Sequence, residues 1–115
     1  MTIRYKNQGF SQSGTGTTTV FTAPADATVI IKSIYCSNND ASSAIEVIAQ
    51  MTDSSASVDY EFFRDEVAAK SQVNATPQGI NLEASDAIKI TATTGSNKIQ
   101  GVISYALIDR SQENG

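Results

Sequence analysis

The chain has no histidine, no tryptophan, one cysteine and two prolines in 115 residues, and only 17% of its residues are charged. Each shortage removes a class of chemistry. Without histidine there is no Ser-His-Asp or Cys-His nucleophile and no His-ligated zinc. The lone thiol, Cys36, makes neither an internal disulfide nor a thiolate metal cage, and inside an apolar run it reads as a small buried hydrophobe. No metal or other cofactor is expected. Formal net charge is −4, from 8 Lys and Arg against 12 Asp and Glu. That balance supplies no basic field to hold phosphate, so no nucleic-acid partner is expected. No apolar run approaches the roughly 20 residues that cross a bilayer, and residues 1–6 lack the apolar stretch of a secretory signal. The chain is expected to be soluble, without a membrane partner.

What the sequence has is β-pattern. A long β-branched segment fills residues 28–37, between a turn around Pro24 and the Asn38-Asn39-Asp40 cluster, whose side chains bond their own backbone. Ile45, Val47, Ala49 and Met51 alternate with polar positions, and after a turn at 52–55, Val58, Tyr60 and Phe62 alternate with Asp59, Glu61 and Phe63. These two segments read as a hairpin. Residues 64–71 are too short for a stable isolated helix and read as a loop or a single turn. Short extended pieces flank Pro77, and residues 88–92 alternate again. Thr94-Gly95-Ser96-Asn97 closes a hairpin into a last strand, 99–108, which is apolar on both faces, as a central or partner-covered strand is. At the N-terminus Ile3 and Tyr5 alternate with Arg4 and Lys6, which suits a short edge strand or an extended arm, and the Gly/Ser/Thr composition that follows raises the cost of ordering the chain until a first core strand at 17–22. The expectation is an all-β protein, an antiparallel β-sandwich or jelly roll of about seven or eight short strands. Residues 1–16 form an N-terminal arm, 17–110 the sandwich domain and 111–115 a flexible tail.

Candidate chemistry is sparse. Asp59 with Glu61, and Asp65 with Glu66, are the nearest carboxylate pairs, but acids on the polar face of a strand are ordinarily solvated. The oxygen-rich turns at 38–40 and 53–55 lack the alternate-position carboxylates and terminal Glu of a calcium loop. Catalytic residues are therefore not assigned. Tyr35, Tyr60, Phe62 and Tyr105 fall at strand spacings that suit a core or a subunit interface. Phe63 is placed by its alternation with the acids on the outer side, as a partner contact. Tyr5 on the arm, and Val102 and Ile108 on the last strand, complete the interface candidates.

Three segments, VFTAPADATVIIKSIYCSNND, FRDEVAAKSQ and GINLEASDAIKITATTGSNKIQGVISYALID, resemble a family of small β-sandwich proteins and domains from tailed-bacteriophage virions. The match covers about residues 20–109. Ser85 stands where glycine is commoner in the turn before Asp86. The resemblance implies a non-enzymatic virion structural protein, a head decoration or other capsid or tail accessory subunit, located in the virion and made in the bacterial cytoplasm. Homo-oligomerisation, with a trimer favoured, and contacts to capsid or tail subunits follow from it. The alternative is a carbohydrate-binding or host-adhesion module that takes host-surface glycan on loops at one end of the sandwich.

Overall fold

Wherever β-branched residues alternate with polar ones the backbone is extended in the computed structural model, which describes residues 2–93 and 97–109. In chain order the strands are β1 (Thr2–Gln12), β2 (Gly16–Thr22), β3 (Ala27–Asn38), β4 (Ile45–Asp53), β5 (Val58–Val67), β6 (Gln72–Asn74), β7 (Ile80–Leu82), β8 (Ala87–Ala92) and β9 (Ile99–Asp109). They build two antiparallel sheets. The front sheet has the order β1-β9-β3-β6, with β7 also on β3, and the back sheet the order β2-β8-β4-β5. β6 and β7 pair with different parts of the same edge of β3, at Tyr35 to Ser37 and at Val29 to Ile31, so they are two pieces of one strand position split by the Pro77 turn. The chain crosses between sheets at every connection except β4–β5 and β6–β7. Two four-position sheets wound in this way are a jelly roll.

The core is the seam between the sheets. β3 contributes Val29, Ile31, Ile34 and Cys36, and β9 contributes Ile99 and Ile103; from the back sheet come Ile45, Val47, Ile88 and Ile90. Burying each of the larger aliphatic side chains is worth about 1.5–3 kcal/mol. Phe21 of β2 closes the far end of the seam against Tyr105 of β9, ring centroids 4.7 Å apart at 60°. Strict alternation would send Ile31 and Ile34 to opposite faces. A bulge at Lys32 restores both to the core.

Side chains fasten the turns. Asn38 donates to the carbonyls of Ser43 and Val67 at 2.9 Å each, and Asp40 accepts from the amides of Ser42 and Ser43, which holds its carboxyl below the usual range. Asp86, 4% exposed, accepts from the Ser54 amide and hydroxyl and from the Glu83 amide, tying the β4–β5 turn to the turn before β8.

Three expectations are corrected. The arm expected at 1–16 is, over Thr2–Gln12, a strand paired to β9 at every residue. Its glycines are paid for by contacts that composition does not display: Phe10 sits opposite Gly101, and Gln12, 1% exposed, donates to the carbonyls of Gly16 and Ile90. The loop expected from residue 64 begins only after Val67, because β5 pairs with β4 back to Ile45. Finally, β8 and β9 are not a hairpin, since β8 pairs with β2 and β4 while β9 pairs with β1 and β3. The expected turn at 94–96 and the tail at 111–115 lie outside the described residues.

Candidate assembly surface

The two sheets present opposite kinds of outer face. On the front sheet the outward side chains form cross-strand rows: Ile3, Ile108 and Thr28; then Tyr5, Ala106 and Ile30; then Asn7, Ser104 and Ser33; then Gly9, Val102 and Tyr35. Seven large hydrophobics are strongly exposed among the described residues, and five of them, Ile3, Tyr5, Ile30, Tyr35 and Val102, are on this one face. Tyr5 is the extreme, at 76% exposure. Lys32, at the bulge, holds its ammonium 5.1 Å from the centre of the Tyr5 ring. No carboxylate falls on these rows among the described residues.

The back sheet is clad in threonine and ion pairs. Thr17 and Thr91 share a hydroxyl hydrogen bond of 2.6 Å, Lys89 reaches Asp59 at 3.1 Å, and Arg64 bridges Glu61 at 2.7 Å and Glu46 at 3.6 Å. The Thr52 hydroxyl first and Lys89 second hold the Asp59 carboxyl below its ordinary range, and Arg64 does the same for Glu61. Exposed pairs of this kind add little stability. Their effect is to keep this face hydrated.

Of the candidate residues, Tyr5, Val102 and Ile108 share the apolar front face. Phe63 does not. A bulge at Phe62 shifts the β4–β5 register by one, so Phe63 lies opposite Ala49 on the inner side and packs half-buried against the core. Alternation placed it with Asp59 and Glu61 because one extra residue reverses every face beyond it. Tyr35, which its strand spacing left between core and interface, is on this outer face, and Ile3 and Ile30 join it without having been singled out. Their signal was parity: Ile30 and Tyr35 occupy the positions between the buried Val29, Ile31, Ile34 and Cys36.

A hollow of about 550 Å³ lies over residues of the β3 end and the β5–β6 loop, including Asn38, Lys70 and Gln72, and one of about 230 Å³ lies beside Tyr5, Lys6 and Lys32. Cys36 is sealed in the core, where burial pushes its thiol up to about 12.

No family model matches the chain, and no curated protein matches it in sequence. Solved structures match it in fold. The acid-stable capsid structure of the Helicobacter pylori bacteriophage KHP30 aligns with a TM-score of 0.59 at 12% identity, over 96% of this chain and 90% of that one. The Drosophila NLP core, described for pentamer formation and histone binding, aligns with a TM-score of 0.55 at 14% identity, over 96% of this chain and 100% of that one. The T13 particle of IBDV gives a TM-score of 0.55 at 10% identity, over 94% of this chain but only 31% of the viral chain. What these likenesses share is the fold, an antiparallel β-sandwich found in phage and viral capsid structures and in the NLP core alike.

Proposed function

We propose that the chain is a non-enzymatic structural subunit of a bacteriophage virion, a head decoration or other capsid or tail accessory protein. It works by associating with copies of itself and with neighbouring capsid or tail subunits. One observation carries this reading: the front sheet leaves Ile3, Tyr5, Ile30, Tyr35 and Val102 in water on a single face, while the back sheet is covered by paired charges. Large apolar side chains gathered on one face of an otherwise polar protein, here in two clusters separated by the Asn7–Ser104–Ser33 row, mark a protein contact. The fold shared with a phage capsid supports the reading as analogy. A closed homo-oligomer is the ordinary outcome of self-association, and a trimer is the order that a three-fold position on a virion selects.

Light scattering on the purified protein across a concentration series tests it. The wild type is expected as a discrete oligomer, and Val102→Asp as a smaller species that still folds and melts cooperatively, because residue 102 is solvent-facing in the single chain. A strict monomer that binds neither capsid nor tail proteins overturns the proposal. The exposure of Tyr5, Tyr35 and Tyr60 supports a second reading, a carbohydrate-binding or host-adhesion tail module. Glycan binding by a monomer, lost in Tyr35→Ala, selects it.

A further inference from the structure

Three of the four sheet edges carry a feature that obstructs strand addition. β5 is bulged at Phe62 and bears Asp59, Glu61, Arg64, Asp65 and Glu66. β2 is bulged at Val20. β6 and β7 are three residues each, with the Pro77 turn between them. β1 differs in length and regularity: it has eleven residues without proline, joined to β9 through all eleven with no register shift, and its charges are confined to Arg4 and Lys6. No strand pairs with its other side among the described residues. The backbone N–H and C=O groups along such an edge are a template for another strand, which is why long flat edges are normally blocked.

We propose that β1 pairs antiparallel with β1 of a second copy, about a two-fold axis at Asn7, so that the front sheet runs unbroken through both molecules. The edge pairing rests on the self-association proposed above and supplies a two-fold contact, so on its own it builds a dimer, and a trimer requires a separate three-fold contact.

The composition of β1 selects both this occupant and this register. Registers that keep inner and outer side chains matched differ by steps of two residues. Centring on Tyr5 sets Arg4 against the second copy's Lys6, and centring on Lys6 sets the two Lys6 side chains together. Both oppose like charges, which is destabilising. Centring on Asn7 pairs Thr2 through Gln12 end to end. Lys6 then faces Gln8, Arg4 faces Phe10, and Tyr5 lies across Gly9. The last pairing repeats one already inside the chain, where Phe10 lies across from Gly101. Centring on Gln8 also separates the charges but leaves Thr2 and Ile3 unpaired. In the Asn7 register Ile3 and Tyr5 of both copies fall on one side, which extends the apolar face across the axis.

Thiol cross-linking of the full chain tests the register. The native Cys36 is fully buried, so introduced thiols report alone. Opposed residues of an antiparallel pair have Cβ atoms about 4.5–5.5 Å apart, close to the span of a disulfide. Asn7→Cys is therefore expected to convert most of the protein to covalent dimer on mild oxidation. Ile3→Cys or Ser11→Cys alone places like thiols about 27 Å apart at ~3.4 Å per residue, and yields several times less. Mixing these two variants is expected to yield the heterodimer. Oligomeric Asn7→Cys protein that forms no covalent dimer overturns the edge pairing and leaves self-association standing. Efficient cross-linking of Ile3→Cys alone overturns the register. Protein that stays monomeric at every concentration overturns both, and β1 amides protected from exchange only after capsid or tail protein is added assign the edge to a different chain.

Discussion

Gly101 is the position where one methyl group tests how β1 is held to the rest of the fold. It sits on β9 between Phe10 of β1 and Cys36 of β3, on the inner face. A Cβ placed there meets the backbone oxygen of Tyr35, and meets the Phe10 ring at 2.5 Å from Cζ and 2.7 Å from Cε1. The ring swings aside at some loss of packing. The carbonyl does not, because it belongs to β3 at the centre of the front sheet. Overpacking of this kind costs about 1–3 kcal/mol, and a clash with backbone belongs at the upper end. Stiffening of the unfolded chain by alanine returns about 0.4–1 kcal/mol. Gly101→Ala is thus expected to lose about 2 kcal/mol, a fall in melting temperature of about 8 °C at roughly 4 °C per kcal/mol for a domain of this size. Thermal and urea unfolding measure it. The Phe10→Ala/Gly101→Ala double variant apportions the cost: with the ring gone the carbonyl remains, so the double variant is expected to stay less stable than Phe10→Ala alone. A Gly101→Ala protein as stable as wild type refutes the close packing of β1, β9 and β3 around this position. Edge pairing through β1 then loses its rigid platform as well.

Two further expectations concern buried polar groups. Asp86→Ala strands the Ser54 and Glu83 amides, the Ser54 hydroxyl keeping the Ala84 carbonyl, and is expected to cost about 3 kcal/mol in urea unfolding, with Asp86→Asn costing less because one acceptor oxygen survives. Equal melting of wild type and Asp86→Ala would show that these turns are not tied through this carboxylate. Cys36 is expected to resist thiol reagents in the native protein and to react fully only on unfolding. Burial lifts its folded value to about 12, from an ordinary thiol value of 9.0. The buried neutral thiol therefore favours the folded state fully below pH 9, and that stability declines as pH rises from 9 towards 12, where the unfolded chain ionises and the native one does not. A flatter decline in Cys36→Ala over that interval is the check, and an identical one would show that other groups set the alkaline limit.

Local chemistry made much of the fold legible in the sequence. Alternation in residues 45–51 and 88–92 named the inward faces of β4 and β8, because side chains on a strand point to opposite sides in turn and only one side is buried. Pro24, Asn38 and Pro77 marked turns through constraints carried by the residues themselves. The two-faced apolarity of the last strand fitted its place between β1 and β3. Tertiary structure alone decided the rest. Bulges at Lys32, Val20 and Phe62 come from how neighbouring strands fit, and the last of them carried Phe63 from the solvent side to the core. Sheet membership is also non-local, so nothing in residues 88–108 revealed that β8 and β9 lie in different sheets. The N-terminal segment shows the division most plainly. Its Gly and Ser content measures only the entropy lost on ordering, whereas the ladder to β9 and the contact of Phe10 with Gly101 that offset it depend on residues about ninety positions away.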